Sequence, residues 1–491
     1  IVDCSVIVNI LKNKERFYTA LFFYINEKNI LKKLFLIAIL FSWCLCFNSQ
    51  TLMLGDYVQG NGITLASSDD NYKVVIRGYT QSLFESRRMR YDSNGLSNNN
   101  VYNRFRARRV RLRISGKQLR PGFSYRLQLN LAESEVENDE LSNVLWDAWI
   151  GYNINKYYRI SVGQKSSPTD NIEVLMASNT LQLPERSRLT GAFSNIREIG
   201  LFVDGRNNIS GTKMVIKPSF SITTGDGYGF KSTSKDYGGL KYGARVNFLP
   251  LGLFRNFGQF RQGDLVRELN PKLLIGFSGS YNHGMSSRRG RANGDFLYYN
   301  FSDSPSVKTS EVTSSSSYRL PNYLKFGGDL LFKYRGFSVL AEYVNTRAYI
   351  SKDITHRNNR YVDSDEITDD LPSAFEPETP ENWENYVRSQ LMLGTGFNIQ
   401  GGYIFKNLIS IDARYTTLIP DDFSFLNNSS YYNRNKYYEI GLGKYFTKNY
   451  SFKVQASYRF IDDAQIRHPL YGSQAFEGDE GTFYLMVQLA F

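Results

Sequence analysis

The sequence predicts an all-β fold: a transmembrane antiparallel β-barrel of about 16 strands, with long loops at one rim and tight turns at the other. Three observations carry this. The chain is rich in aromatics (35 Tyr and 34 Phe, 15% aromatic) yet polar on average, with a mean hydropathy of −0.39. Such a balance fits strands with one apolar and one wet face and excludes a bundle of apolar membrane helices. From Tyr72 onward, segments of about 8–14 residues alternate apolar and polar and are separated by turn-rich sequence. The final segment, Thr482 to Phe491, is apolar at every odd position and stops on an aromatic.

The first 50 residues stand apart. Lys28, Lys32 and Lys33 make a basic stretch, Leu34 to Phe47 an apolar run, and Asn48-Ser49-Gln50 a small, polar exit. An apolar run of about 14 residues is too short to span a bilayer as a helix, so 28–50 reads as a signal peptide for export. Residues 1–27 read as an upstream extension, and 1–50 is set aside from the fold. All three cysteines, Cys4, Cys44 and Cys46, lie in that part, which leaves the exported chain without disulfides or a cysteine metal site. His283, His356 and His468 are scattered over loop-like sequence, so neither a metal nor any other cofactor is expected. The formal charge of +12 becomes +9 once the six basic and three acidic groups of 1–50 are removed.

Residues 51–71 read as an N-terminal periplasmic segment and 72–491 as the barrel. Its strands are expected near 72–86, 103–115, 123–131, 143–153, 158–164, 197–204, 212–222, 240–248, 271–281, 320–333, 337–344, 389–403, 408–418, 436–445, 451–459 and 481–491. In Lys241–Phe248, Tyr242, Ala244, Val246 and Phe248 share one face and Lys241, Gly243, Arg245 and Asn247 the other, because successive strand residues point to opposite sides. A soluble sandwich alternates too. Connection length separates the two: Tyr334-Arg335-Gly336 and Phe446 to Tyr450 are short, whereas 282–319 and 345–388 are long. The connection 249–270 breaks the rule, and its glycines suggest an irregular periplasmic excursion or a missed strand. The last segment resembles the C-terminal assembly signal of outer-membrane proteins. Its phase puts Phe483, Leu485, Val487, Leu489 and Phe491 toward lipid and Tyr484, Met486 and Gln488 inside.

If the apolar face meets lipid, the other lines the lumen. Val110, Leu112 and Ile114 then face out, and Arg109, Arg111 and Arg113 face in. The same phase puts Lys73, Arg77, Arg126, Arg159, Lys213, Lys217, Lys241, Arg245, Lys272, Lys325, Arg414, Lys453 and Arg459 inside. Fewer acids join them: Asp147, Glu198, Asp329, Glu342, Asp412 and Glu439. Carboxylates concentrate in the segments Glu133 to Glu140 and Asp363 to Glu384, read as solvated loops near lipopolysaccharide. Inward rings of Arg and Lys attract anions and repel cations, and arginine adds a planar fork matched to phosphate or carboxylate oxygens. Equally, the arginines could pair with lumen acids and simply fill the wall. The third long connection, Gln164 to Asn195, carries Lys165, Arg186 and Arg188, with Arg197 nearby and Leu175, Met176, Leu181, Leu183 and Leu189 interspersed. So apolar a loop should pack against something. Folded inward, it sets Arg186 and Arg188 at a constriction; folded outward, it serves subunit contact.

These stretches give the chain a resemblance to the phosphate-selective porin O and P family. It rests on Arg108-Arg109-Val110-Arg111-Leu112-Arg113-Ile114-Ser115-Gly116, Gly163-Gln164-Lys165 with Pro168 and Glu173, Pro184-Glu185-Arg186-Ser187, and Arg197-Glu198-Ile199-Gly200. The resemblance implies a homotrimer of 16-stranded barrels, each with an arginine-lined bore and an infolded third loop. The function expected is passive, anion-preferring diffusion, with phosphate or similar small anions as solute. Nucleic acid is not an expected partner, because the positive charge is internal. A structural or partner-binding barrel without an open pore is the alternative. A barrel hydrolase would need a nucleophile beside a base, and only His283 near Ser286 and Ser287 offers one; the chain is not expected to be an enzyme.

Overall fold

A computed structural model describes residues 52–54, 59–93, 96–120, 122–132, 144–225, 227, 239–285, 296–301, 306–308, 318–359, 366–427, 436–461 and 480–491. Residues 1–50, expected to hold the leader, the acidic run Glu133 to Glu140, Ser286, Ser287 and His468 lie outside them. The chain divides into two compact units, Ile1–Met53 with Ala66–Asp70, and Leu54–Leu65 with Asn71–Phe491. In the first, Ser67 to Asp70 is a tight turn, in which the Asp70 amide donates to the Ser67 carbonyl at 2.9 Å.

The second unit holds a closed antiparallel barrel. Its strands are β1 (Tyr72–Ser93), β2 (Leu96–Gln118), β3 (Phe123–Asn130), β4 (Leu145–Asn153), β5 (Tyr158–Lys165), β6 (Glu198–Gly205), β7 (Val215–Thr223) and β8 (Lys241–Leu249). They continue with β9 (Lys272–Asn282), β10 (Asn322–Tyr334), β11 (Phe337–Tyr349), β12 (Gly394–Ile404), β13 (Ile409–Pro420), β14 (Lys436–Tyr445), β15 (Phe452–Ile461) and β16 (Glu480–Ala490). Each pairs with its sequence neighbour, and β16 returns to β1, with Ala490 opposite Tyr79 and Phe483 opposite Ser86. At the seam Phe491 and Gly78 exchange backbone hydrogen bonds of 3.0 and 3.2 Å. A side chain at position 78 would strike the Phe491 ring at 2.6 Å, so glycine there seats the terminal aromatic.

Closure leaves no strand edge exposed to lipid, the condition for spanning a bilayer with strands. The outer face is an apolar belt that includes Ile150, Phe220, Phe277, Ile440 and Leu485. The phases expected for β8 and β16 hold residue by residue. Lys241, Arg245, Asn247, Tyr484, Met486 and Gln488 are buried inside, while Tyr242, Val246, Phe483, Leu485, Val487 and Leu489 are exposed outside. Among the boundaries that differ from expectation, the largest changes are at the β1–β2 hairpin, the end of β11 and the start of β12. The β1–β2 hairpin reaches 22 and 23 residues, where about 10 suffice to cross; its polar, arginine-rich outer half hid the pairing. The strand expected from 389 starts at Gly394, because a helix, α3 (Pro380–Ser389), precedes it. It is capped by Thr379, whose hydroxyl accepts the Asn382 amide at 3.2 Å. The acidic stretch 366–384 is therefore not merely a solvated loop: Phe375, Trp383 and the nearby Tyr386 pack with Tyr298 of the preceding long connection and with Tyr323 of β10.

The connection Gln164 to Asn195 does fold inward. It forms two short helices, α1 (Ile172–Leu175) and α2 (Arg188–Phe193). Ile172 and Met176 pack on Val215, Leu249, Leu274 and Leu331 of the wall; Leu189 and Phe193 pack on Val344 and Leu418. The 249–270 connection is an excursion rather than a missed strand, and it too enters the lumen. Gln262 receives the Gln182 amide at 2.9 Å and donates to Glu173 at 2.8 Å, which ties the two infolded segments together.

Candidate functional site

The interior is lined by charge, but not uniformly. On the arc β8–β15 the infolded third loop is fused to the wall. Arg245 meets Asp329 at 2.5 Å with both side chains 0% exposed, and Lys241 meets Glu198 of β6 at 2.6 Å, also buried. Lys325 pairs with Asp170, and Arg414 with Glu439 at 2.5 Å. Asn171 and the Glu173 amide both bond to Glu342, at 2.8 and 2.9 Å, and Gln182 bonds to Asp412 at 2.7 Å. Every expected lumen acid lies inside, and here each is consumed by a partner. Lys241 and Arg245 are thus sealed behind the third loop.

On the arc β1–β6 cations outnumber carboxylates. A β-bulge sets the pattern: Gln81 pairs with Arg109 but Ser82 with Ala107, which leaves Arg108 unopposed. Bulges re-aim side chains. As a result, Arg108 and its neighbour Arg109 both reach Glu185 at the tip of the third loop, with bonds of 2.5 and 3.1 Å from Arg108 and 2.8 Å from Arg109. Strict alternation puts Arg108 outside, so period alone could not find it. Burial raises the affinity of the Glu185 carboxyl for its proton, but Arg109 and Arg108 outweigh burial and hold it well below the usual carboxylate range. From the far side Arg414 donates to the Glu185 carbonyl at 2.9 Å. The tip therefore bridges β2 and β13 across the lumen.

Beyond the tip, Arg111 is buried and Arg113 half-buried. Arg77 stands opposite Arg113 in register, its Nε without a hydrogen-bond partner among the described residues. On the neighbouring strands, Arg197 bonds to Asp147 at 2.5 Å and Arg126 approaches the same carboxylate at 3.8 Å. Asp204 takes Lys165 at 2.8 Å and Arg159 at 3.5 Å. Arg126 and Arg159 keep 34% and 36% of their side chains exposed. Gly163 opposes Trp149 with φ +122°; a Cβ there would lie 2.2 Å from the Ala148 carbonyl, which accounts for glycine at the head of Gly163-Gln164-Lys165.

The third-loop arginines do different work from that expected. Arg186 donates to the carbonyls of Glu173 and Met176, closing the loop on itself. Arg188 is half-buried at the start of α2. Lys73 and Lys213 are exposed at strand ends rather than lining the bore. Sequence reasoning also missed Arg261 and Phe260 of the 249–270 excursion; the Arg261 guanidinium lies over Tyr450, and the Lys217 ammonium over Phe260. His283 is exposed on its loop.

No curated protein matches the chain. Among solved structures the chain is similar to outer-membrane expressed OmpT of Vibrio cholerae (8% identity, 86% of this chain and 98% of that one, TM-score 0.44). It is also similar to OmpF of Salmonella typhi in complex with daunomycin (13%, 86% and 99%, TM-score 0.43) and to the outer-membrane channel DcaP of Acinetobacter baumannii (12%, 87% and 99%, TM-score 0.44). A family profile matches residues 85–253, a span that holds the bulged β2, the third loop and the strands on either side of it. The family so matched, phosphate-selective porin O and P, is the one whose motifs the sequence carries, and with the closed barrel it marks an outer-membrane channel.

Proposed function

We propose that the chain is an outer-membrane porin giving passive, anion-preferring diffusion of phosphate or similar small anions. The reading rests on one observation: on the arc β1–β6, among the described residues, Arg108 and Arg109 share Glu185, Arg126 and Arg197 share Asp147, and Arg159 and Lys165 share Asp204, two cations to each acid. A surplus of fixed positive charge along a narrow wet path concentrates anions and repels cations. On the opposite arc Lys241, Arg245 and Lys325 are each matched by a carboxylate of their own. The bore this supports is off-centre, between the third loop and β1–β6. Residues 28–50 act as a cleaved signal peptide, and the family resemblance makes a homotrimer in lipid and lipopolysaccharide the expected assembly.

The test is a reversal potential in planar bilayers under a salt gradient. An anion-directed potential that weakens on Arg126→Gln with Arg159→Gln supports the reading; cation preference rejects it. A second reading, a partner-binding barrel without an open pore, draws on the two infolded segments that meet inside the lumen. Zero conductance from correctly folded protein would favour it.

A further inference from the structure

Among the described residues seven other than glycine hold a left-handed backbone, and four of them stand together at one rim: Asn256 (φ 50°), Phe257 (φ 56°), Arg267 (φ 49°) and Arg335 (φ 48°). For an aromatic residue this conformation is an outlier that its surroundings must enforce. Here the enforcer is Glu268, which is buried. Its carboxylate accepts the Arg255 amide at 2.6 Å and the Arg255 guanidinium at 3.2 Å, and its carbonyl accepts the Arg335 amide at 2.9 Å. The same guanidinium donates to the Val266 and Arg267 carbonyls at 2.7 and 2.6 Å. These bonds tie the 249–270 excursion to the β10–β11 turn, at the rim of tight turns that in outer-membrane barrels faces the periplasm.

What the strained backbone holds out is apolar. Phe257 is 72% exposed, and Leu269, next to Glu268, is 68% exposed. Cations flank them on the lipid side. The Arg267 guanidinium lies 5.5 Å from the Tyr403 ring and donates to its hydroxyl at 3.2 Å; that of Arg335 lies 5.1 Å from the Tyr334 ring. Tyr403 and Tyr334 are in phase with the outward Phe397 of β12 and Leu330 of β10. Of these three arginines only Arg255 has a carboxylate partner among the described residues, Glu268. The knob is therefore continuous with the apolar belt and positively charged at its edge.

An exposed Phe on such a backbone is disfavoured twice in water, by its φ and by its hydration. At a bilayer surface the ring instead enters the boundary between headgroups and acyl chains, and guanidinium forks match phosphate oxygens. Continuity with the lipid belt favours a lipid over a soluble acidic peptide. We propose that this knob docks an anionic phospholipid of the inner leaflet. Phe257 and Leu269 sit at the acyl boundary, and Arg255, Arg267 and Arg335 hold the phosphate. The site needs the outer-membrane barrel alone and is independent of the pore's selectivity.

The experiment places Phe257→Trp in the full barrel, in phosphatidylcholine vesicles that hold equal fractions of either brominated phosphatidylglycerol or brominated phosphatidylcholine. Bromine quenches an indole it touches. The wild-type signal, from tryptophans that include the buried Trp146, Trp149 and Trp383, is subtracted. A heat-modifiable gel shift confirms that each variant forms the barrel. The expected result is blue-shifted emission, quenched several-fold more by the anionic lipid. Arg267→Gln with Arg335→Gln should remove that preference while contact with lipid remains. Water-like emission that neither lipid quenches overturns the proposal and favours a soluble partner; equal quenching by both lipids overturns it as well. A second arm uses Phe257→Gly, since glycine relieves the left-handed backbone. Wild type should melt higher with phosphatidylglycerol present than in phosphatidylcholine alone, and the variant should lose most of that increment without melting lower in phosphatidylcholine. An increment that survives in the variant also overturns the proposal.

Discussion

The two arcs of one barrel use the same residue types to opposite ends. On β8–β15, Lys241, Arg245, Lys325 and Arg414 each meet a carboxylate, Lys333 and Lys453 are held by backbone carbonyls, and the third loop becomes part of the wall. On β1–β6, cations share carboxylates, lean on aromatic rings and stay partly wet. The difference is one of stoichiometry and hydration rather than composition. Paired and dry, an arginine is masonry; crowded and wet, it is an electrode.

The comparison can be broken most sharply at Arg245. Asp329→Ala leaves a fully buried guanidinium without its carboxylate, at a cost of about 3–5 kcal/mol. We expect a large drop in barrel stability, read as a lower temperature for the heat-modifiable shift, whereas Arg126→Ala should leave that temperature nearly unchanged and move selectivity instead. Equal stability losses in the two variants would erase the distinction between the arcs.

A smaller effect is expected where the arcs meet, at Glu185. Glu185→Gln removes the acid shared by Arg108 and Arg109, so anion preference should rise while the third loop loosens. The sign with pH follows from its depressed proton affinity. Its folded pKa lies below the unfolded value of about 4.3, so its stabilisation is fully present above that value and is lost as pH falls toward the folded one. The stability gap between wild type and variant should be flat from pH 5 to 8 and shrink in stronger acid. A gap that changes near neutrality would mean another group is responsible.

The smallest effect concerns the loop itself. The Ser187 hydroxyl accepts the Thr190 amide at the start of α2 and donates to Glu173 at 2.8 Å. Ser187→Ala should cost about 1 kcal/mol, as loss of an N-cap does. Melting curves would check this, and an unchanged curve would show that the apolar packing of Leu189 and Phe193 alone holds the helix.

Much of this was legible in the sequence, because a barrel wall is written in period two. The number of strands, the lipid-facing side of β8 and β16, and the inward Arg109 and Arg111 all follow from alternation. What alternation cannot carry is an interruption of itself. The bulges at Arg108 and at Trp146, which is left unopposed where Gln128 pairs with Asp147 but Leu129 with Leu145, turn in residues that counting assigns outward, and no local residue type announces them. Partners were equally hidden. Nothing near Arg245 points to Asp329, 84 residues away, because that pairing is set by how the sheet curls. Helix α3 was missed because ten residues inside a long polar connection look like any solvated loop.

The seam between Gly78 and Phe491 has a consequence for how the molecule comes to exist. It joins positions about four hundred residues apart, near the upper limit of what contact order allows, and topologies of that kind assemble slowly. Until β16 arrives, β1 offers a row of amides and carbonyls that hydrocarbon cannot satisfy. A half-inserted sheet therefore gains little by waiting in the bilayer. Growth strand by strand in open lipid is uphill, and the residue that closes the seam is among those that make the whole insertion worthwhile.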